Sequence, residues 1–376
     1  MARIALLYSD TGGGHRTAAE AIAQALQELR GDAHTVILAN GVDWLPAPFN
    51  RGDRTYAAAM RHAPILHRIN YRLSDSALVR KVSGRLGMAL DGRRATDFVR
   101  GLDADVIVSC QPHFNAFAPR ALRRIGPRAA GRTRYVHVIT DLQHLHAFHF
   151  ALHADLLIAP TGEARIEVMR QGVPPQRVTV AGYPIFPDFA ERLKGGPAAR
   201  AALDLDAARS TVLLMGGGEG MGDLRAVVGA LDAARLPIQL VVVCGRNDTL
   251  RLDLEALATH TTLRALGFVD NVPELMGASD IIITKAGTGT LCEALAAGAP
   301  IILYDAVPGQ EDGNRDYVLA RDAVAWCPGG ERVAAQVRAW LDDPAARGRA
   351  AAAAAAEARP DAAMDIARSV LALIDG

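Results

Sequence analysis

This 376-residue chain lacks a hydrophobic run long enough to span a bilayer, although 50% of its residues are apolar. No stretch reaches about 18 uncharged apolar residues, so we expect no transmembrane helix. The first predicted strand begins at Arg3, which leaves no room before it for a signal peptide. These two absences favour a cytoplasmic protein.

Cysteine is scarce, and its spacing excludes the common cysteine-based sites. The four residues are far apart in sequence and form no CxxC pair: Cys110, Cys244, Cys292 and Cys327. A disulfide framework or a cysteine-rich zinc site is therefore not expected. Their apolar surroundings predict buried, reduced thiols.

Net charge is also absent, with 41 basic and 41 acidic residues, but the charge is unevenly distributed. Residues 51–135 contain 17 Lys and Arg against 6 Asp and Glu. This excess predicts an anionic membrane surface or nucleic acid as a partner, or is simply a solvated helical surface. No recognised nucleic-acid-reading motif accompanies the basic segment, so we expect no nucleic-acid partner.

Short apolar strands alternate with helical segments along the whole chain. Strands are predicted near residues 3–9, 35–39, 105–110, 135–140, 156–159, 178–181, 211–215, 239–244, 263–268, 281–284, 301–304 and 324–327. This pattern predicts an α/β fold of two doubly wound, Rossmann-like domains that face each other across a cleft. The segment 184–210, rich in Pro and Gly, divides an N-terminal domain (1–186) from a C-terminal domain (187–376). The last helix could pack back onto the N-terminal domain.

The stretch 267–314 carries the strongest chemical signal. A strand ends in a glycine-rich turn that opens a helix, where backbone N–H groups and the helix dipole favour an anion. The turn is formed by Gly287, Thr288, Gly289 and Thr290. Glu293, one turn later, is placed for ribose hydroxyls, and Gln310 and Glu311 for a sugar. Lys285 is one of three lysines in the chain and supplies a compact ammonium group, so we predict a nucleotide-sugar site.

Two further glycine-rich loops follow predicted strands. Gly14 and His15 end the sequence GGGH. The three glycines bring the backbone close to a ligand, so Gly14 is a candidate donor-binding residue. The imidazole of His15 is a candidate general base for an alcohol nucleophile or, alternatively, a capping or packing residue. Gly217 and Gly218 lie in GGGEGMG, which offers N–H donors to a phosphate or sugar or forms a hinge. Neither loop matches a dinucleotide fingerprint or a P-loop.

A cluster of polar residues follows the strand that ends near Thr140. Asp141 is a candidate for orienting or deprotonating an acceptor hydroxyl. Four histidines come after it, but their spacing matches no zinc pattern: His144, His146, His149 and His153. We therefore expect no metal.

Together these motifs resemble monogalactosyldiacylglycerol synthases and related processive diacylglycerol glycosyltransferases. The resemblance covers residues 3 to about 320 in family order through SDTGGGHR (9–16), ITDL (139–142), LLMGGGEGMG (213–222), VCGRN (243–247), GFVDNV (267–272), TKAGTGT (284–290) and PGQEDGN (308–314). It implies the GT-B fold and an inverting, metal-independent transfer of galactose or glucose from a UDP-sugar to the sn-3 hydroxyl of diacylglycerol. No cofactor beyond the donor substrate is implied.

The resemblance also assigns roles by position. Phe268 and Val269 would hold uracil, and the Gly287–Thr290 turn with Lys285 would hold the diphosphate. Arg246 lies in a donor-side motif, and His15 would be the acceptor-side base or orienting group. Asp141 and His146 match the family's acidic and histidine positions. The aromatic residue often found three places after that histidine is here His149.

A lipid acceptor implies peripheral attachment of the N-terminal domain to the inner face of the cell membrane. The basic segment fits this role, and several apolar residues in and before it are suited to interfacial insertion: Trp44, Leu45, Pro46, Phe49, Ile65, Leu66 and Tyr71. For any one of them taken alone, ordinary core packing is the favoured interpretation, and the prediction of membrane attachment depends on the group together with the charge. Two other functions remain open at this point, a UDP-N-acetylglucosamine 2-epimerase and a non-catalytic nucleotide-sugar-binding protein.

Overall fold

The structure is a computed structural model that describes residues 1–9, 13–44, 64–127 and 132–375. The chain divides into two compact units. Unit 1 comprises Met1–Pro187 together with Asp361–Gly376, and unit 2 comprises Asp188–Pro360. Each unit is built around its own parallel sheet.

Unit 1 contains one sheet of six parallel strands among its described residues, in the order β2-β1-β3-β4-β5-β6. The strands are β1 (Arg3–Tyr8), β2 (Thr35–Asn40), β3 (Val106–Ser109), β4 (Arg134–Val138), β5 (Leu156–Ala159) and β6 (Val178–Val180). The helices are α1 (Gly14–Arg30), α2 (Pro64–Ser74), α3 (Ala77–Leu102), α4 (Ala118–Ile125) and α5 (Gly162–Arg170).

Unit 2 repeats this architecture, with strand order β12-β11-β10-β7-β8-β9. The strands are β7 (Ser210–Met215), β8 (Ile238–Val243), β9 (Thr262–Leu266), β10 (Ile281–Lys285), β11 (Ile301–Asp305) and β12 (Ala325–Trp326). The helices are α6 (Phe189–Leu193), α7 (Gly196–Ala202), α8 (Leu224–Ala233), α9 (Asp248–Glu255), α10 (Val272–Gly277), α11 (Thr288–Ala297), α12 (Asp312–Leu319), α13 (Gly330–Asp342) and α14 (Pro344–Ala356).

The central strands are buried on both faces, which explains their continuous apolar sequences. Every residue of β3, β5, β8 and β10 is buried. Helices cover both faces of a parallel sheet, so alternate side chains on either face reach a core. The predicted α/β fold of two doubly wound domains is confirmed in these two sheets.

The chain ends in α15 (Ala362–Asp375), which belongs to unit 1 and packs against α1. The alanine-rich stretch before it is the separate helix α14, and the break between the two helices contains Pro360. Proline has no N–H for the helix and clashes with the preceding turn. None of the helices in the described part of the chain is long and apolar enough to cross a membrane.

Candidate functional site

The strand order reverses between β7 and β10 in unit 2, and two of the glycine-rich loops predicted to bind the donor follow these two strands. The strands are neighbours, with Leu213 in register with Ile282. In open α/β sheets ligands bind at such a switch point, beyond the carboxyl ends of the strands. The loop at Gly216–Gly222 and the turn at Gly287–Thr290 are therefore brought to one place by the topology.

Lys285 lies between these two glycine turns. A Cβ added at Gly217, whose φ is +72°, would lie 3.2 Å from Lys285 Cε, and one added at Gly287 would lie 2.9 Å from Lys285 Nζ. Side chains at either position would crowd the lysine, so glycine is needed for the close approach. The ammonium group is consequently held at the start of α11.

The loops after β7 and β8 pack backbone against backbone. Arg246 N–H donates to the Gly218 carbonyl at 2.9 Å. A Cβ at Gly220 would lie 2.0 Å from the Cys244 carbonyl oxygen, which explains the glycine there. This contact fixes the shape of the loop containing Gly217 and Gly218.

The N-terminus of α11 begins at a glycine, which has no side chain to cap it. Gly287 is the N-cap residue and makes no side-chain cap hydrogen bond, while Thr288, Gly289 and Thr290 are partly exposed. The first N–H groups of a helix have no partner within the helix and create positive potential. This end of α11 therefore suits a diphosphate, as the sequence predicts.

Asn314, which the sequence reasoning did not single out, supports this turn from α12. Its side-chain amide donates to Thr288 Oγ1 at 2.9 Å and to the Ala286 carbonyl at 3.3 Å. Asn314 is 1% exposed. The only sequence signal was its place in PGQEDGN, which gave no partner.

Lys285 and Glu311, predicted as separate ligands for phosphate and sugar, form a buried ion pair. Their side chains are 9% and 8% exposed. The second carboxylate oxygen of Glu311 accepts a hydrogen bond from Val307 N–H at 2.9 Å. Glu311 therefore orients the lysine, and any contact of Glu311 with a sugar stays a prediction. Gln310 beside it is partly exposed.

Glu293 lies one turn into α11 and is partly exposed. Desolvation raises the pKa of its carboxyl to about 7, and the positive charge of Arg192 opposes the rise. The group thus changes charge near neutral pH.

Phe268 presents an open aromatic face at the end of β9. Its side chain is 60% exposed, and the Arg246 guanidinium carbon lies 4.5 Å from the ring centroid. Arg246 also pairs with Glu219, 3.0 Å away. An exposed aromatic beside a fixed guanidinium suits stacking on a flat base, and Val269 beside it is partly exposed. The predicted role in uracil binding is not tested by these contacts.

In unit 1 the strand order reverses between β1 and β3, and His15 follows β1. Its Nδ1 lies 3.4 Å from Thr140 Oγ1. Desolvation lowers the pKa of His15 to about 4, against the opposing charge of Asp141. Tyr183 donates to the Gly14 carbonyl at 2.8 Å and holds the turn. The imidazole is therefore neutral near pH 7, as a general base must be.

The histidines after Asp141 are separated by the fold. His149 Nε2 lies 2.9 Å from Asp141 Oδ2, and His149 is only 1% exposed. His146 instead lies 3.2 Å from Ser74 Oγ and packs on the Tyr71 ring. In the described part of the chain no group of three or more His, Cys, Asp or Glu side chains could hold a metal ion.

One residue predicted for membrane insertion is part of the core. Trp44 is 7% exposed, packs edge-on against Phe117 and donates its indole N–H to the Gly41 carbonyl at 2.9 Å. Trp44 therefore follows the core-packing interpretation and not membrane insertion, because its ring and its N–H are both satisfied inside unit 1. Leu45, Pro46 and Phe49, and the side chains of Ile65 and Leu66, lie outside the described residues.

An apolar row that the sequence reasoning did not identify lies exposed on α2 and α3. It consists of Ile69, Leu73, Leu78, Val82 and Leu86, which are between 49% and 71% exposed. Lys81 and Arg85 are exposed on the same helix as the last three. The spacing of four residues places members of one helix on one face. We call these five residues the apolar row.

Comparisons with known proteins agree with this geometry. The family model described as monogalactosyldiacylglycerol (MGDG) synthase matches residues 15–185, and that of the glycosyltransferase family 28 C-terminal domain matches residues 211–322. The monogalactosyldiacylglycerol synthase of Spinacia oleracea is 33% identical over 350 residues, covering 90% of this chain and 66% of that protein. The probable monogalactosyldiacylglycerol synthase 2 of Oryza sativa subsp. indica is 35% identical over 351 residues, covering 90% and 73%.

The chain belongs to the monogalactosyldiacylglycerol synthase family. The predicted family is thereby confirmed. The matched regions include both parts of the chain that carry the motifs, the segment that begins at His15 and the segment 211–322.

Solved structures give the fold of this family member. MurG from Acinetobacter baumannii superposes with a TM-score of 0.62 at 16% identity, covering 99% of both chains. The UDP-GlcNAc 2-epimerase of Neisseria meningitidis, bound to UDP-GlcNAc, gives 0.62 at 14% identity, covering 98% of this chain and 99% of that one. The glycosyltransferase SnogD from Streptomyces nogalater gives 0.54 at 19% identity, covering 99% of both chains. The GT-B fold is confirmed, and at these identities the likeness extends to the fold alone.

Proposed function

We propose that this chain transfers galactose from UDP-galactose to the sn-3 hydroxyl of 1,2-diacylglycerol with inversion at the sugar's anomeric carbon. The observation that carries the proposal is the match to monogalactosyldiacylglycerol synthases over 90% of the chain. The glycine-rich loops of both units support it, since the loops that contain His15, Gly217 and Gly287 each follow a strand at the switch point of its sheet. The epimerase shares the fold only.

In the proposed reaction, neutral His15 accepts the proton of the diacylglycerol hydroxyl. The hydroxyl oxygen forms a bond to the anomeric carbon while the bond from that carbon to the UDP oxygen breaks, and UDP leaves with the electron pair. The N–H groups at the N-terminus of α11 and the ammonium of Lys285 stabilise the charge that develops on the diphosphate. We propose that no metal ion is needed for this step.

The test is an assay of the purified full chain with diacylglycerol vesicles and each UDP-sugar separately. We expect β-galactosyl diacylglycerol and stoichiometric UDP from UDP-galactose. Glucosyl transfer in its place would identify the alternative donor. Conversion of UDP-N-acetylglucosamine without lipid would instead identify an epimerase, and UDP-sugar binding without any turnover would identify a binding protein.

Binding of UDP-galactose is expected to tighten as pH rises through about 7, because Glu293 accepts ribose hydrogen bonds fully only as a carboxylate. Below the raised pKa of Glu293, protonation of this carboxyl competes with binding of the sugar nucleotide. The affinity for UDP-galactose should therefore fall by up to about tenfold for each pH unit below about 7. Titration calorimetry at several pH values measures this. Glu293→Gln should bind more weakly and lose the dependence, and a variant that kept it would assign the titration to another group.

We also propose that the protein is cytoplasmic and attaches peripherally to an anionic membrane surface through the apolar row. Exposed leucines beside Lys81 and Arg85 combine apolar insertion with attraction to anionic lipid. Diacylglycerol itself resides in a bilayer, so an interface of this kind would bring the acceptor to unit 1.

Leu78→Glu with Leu86→Glu is expected to weaken binding to phosphatidylglycerol-containing vesicles by at least about tenfold, because apolar insertion is lost and repulsion is added. Sedimentation with vesicles measures this at low and high salt. Ile166→Glu is the matched control, since Ile166 is 48% exposed on α5 of the same unit. Equal losses in both variants, or binding indifferent to salt and anionic lipid, would contradict the proposed surface.

A further inference from the structure

A row of hydrogen-bonded groups leads from the core of unit 1 to Asp141. His137 Nδ1 lies 2.9 Å from the Ser109 carbonyl oxygen, and His137 Nε2 lies 3.2 Å from His149 Nδ1. His149 Nε2 then lies 2.9 Å from Asp141 Oδ2. His137 is 0% and His149 1% exposed, so neither ring is hydrogen-bonded to bulk water in place of these partners.

The number of protons on this row follows from its contacts. A carbonyl oxygen only accepts, a carboxylate only accepts, and two ring nitrogens share a bond only if one of them carries hydrogen. The three contacts therefore need three protons. If both imidazoles were neutral and Asp141 were a carboxylate, the row would hold only two ring protons. The contacts therefore require one proton more than these groups hold in their neutral and carboxylate forms.

The extra proton belongs to the end of the row nearest Asp141. Burial lowers the pKa of His137 well below its ordinary value, so His137 is neutral with its hydrogen on Nδ1. His149 then donates from Nδ1 to His137. The remaining proton lies between His149 Nε2 and Asp141, either as an imidazolium–carboxylate pair or as a neutral pair, and the net charge is zero in both cases.

We propose that His149, oriented by His137, is a positioning residue that keeps Asp141 in a charge-neutral pair, so that Asp141 is not the base and His15 is. The assignment of the base rests on the transfer reaction proposed above, whereas the proton count rests on the geometry. Asp141 then serves to orient the acceptor hydroxyl.

The row also controls the electrostatic surroundings of His15. The titratable groups that act on or lie near His15 are Asp141, His149, His113, His137 and the Cys110 segment, whose backbone hydrogen-bonds to the imidazole. Asp141 alone would favour the imidazolium form of His15, and the proton on the His149–Asp141 pair offsets that effect. His15 is thereby kept neutral and ready to accept a proton.

The first test reads the protons directly. Spectra of the full chain labelled with ¹⁵N-histidine at neutral pH should show hydrogen on Nδ1 of both His137 and His149. Signals are assigned by their loss in His149→Gln and His137→Gln. A His149 ring protonated only at Nε2 would overturn the proposal. This readout does not depend on any activity of the enzyme.

The second test is the pH profile of kcat at saturating UDP-galactose, which falls on the acid side as His15 is protonated. Saturation removes the effect of Glu293 on donor affinity. His149→Gln preserves an N–H donor for Asp141 but cannot hold the extra proton, so the negative charge of Asp141 is no longer offset and raises the pKa of His15. The acid limb of this variant should therefore shift upward by about one pH unit. The same shift is expected for His149→Phe. His153→Gln, an exposed histidine of the same segment, should leave the limb unchanged. A wild-type profile in His149→Gln would show that a neutral donor suffices and would overturn the proposal.

The two tests separate this inference from the proposed function. Absence of galactosyl transfer by the wild-type chain would contradict the proposed function, and the ring-nitrogen spectra would still decide the proton count. Active enzyme with the wrong His149 tautomer would contradict only the inference. Circular dichroism across the pH range identifies any variant whose loss at low pH is unfolding.

Discussion

His15→Ala is expected to lower kcat for galactosyl transfer by about 10²–10⁴-fold, the usual contribution of a general base. The affinity for UDP-galactose should be unchanged, because the predicted donor-binding residues other than Gly14 belong to unit 2, whereas His15 belongs to unit 1. In the wild type, burial holds the pKa of His15 at about 4, so the imidazole is neutral at physiological pH. At saturating UDP-galactose, kcat should therefore fall only as pH decreases towards about 4.

Steady-state kinetics with diacylglycerol vesicles and calorimetry with UDP-galactose measure the two quantities separately. His153→Ala serves as the control, since this histidine is exposed on the surface of the same unit. Normal turnover in His15→Ala would remove the histidine from the reaction. Loss of donor binding together with turnover would point to a folding defect.

Lys285→Met is expected to have the second large effect, on both stability and donor affinity. The substitution leaves the Glu311 carboxylate buried without its counter-charge, which costs about 3 kcal/mol or more in the free energy of unfolding. It also removes a positive charge at the start of α11, where we propose that the diphosphate binds. Urea unfolding and calorimetry with UDP-galactose measure the two losses.

Lys194→Met is the matched control, because Lys194 pairs with Glu191 on the surface and its side chain is 72% exposed. A pair of that kind contributes roughly 0–1 kcal/mol. Combining Lys285→Met with Glu311→Gln should recover part of the stability, since no buried charge is left unpaired. It should not recover donor affinity. Recovery of both would mean that Lys285 acts only as a structural partner of Glu311.

Much of the fold was predictable because parallel strands buried on both faces have continuous apolar sequences. The stretches around Ile281–Lys285 and Ile238–Val243 illustrate this, and both are strands in the structure. The break between the last two helices was also predictable, since Pro360 excludes a continuous helix. The two interpretations of Trp44 could not be separated from the sequence, because an aromatic residue has the same sequence signature in a core and at a membrane interface.

The partners within the candidate site were not predictable. Lys285 and Glu311 are 26 residues apart, and the sequence reasoning gave them separate ligands, yet they form one buried pair. The apolar row could not be recognised from the sequence, because helical spacing alone does not tell whether an apolar helix face is covered by other elements. Asn314 was hidden for a similar reason, because its hydrogen bonds reach a turn that precedes it by 26 residues or more.

The sequence by itself determined the family, the two α/β units and the loops that carry the chemistry, because motifs and apolar periodicity are local properties of the chain. Only the tertiary structure decided which of those residues face each other. The row from His137 through His149 to Asp141 shows the difference most clearly. Its proton count depends on three interatomic contacts, and contacts between distant residues are set by the packing of the whole unit.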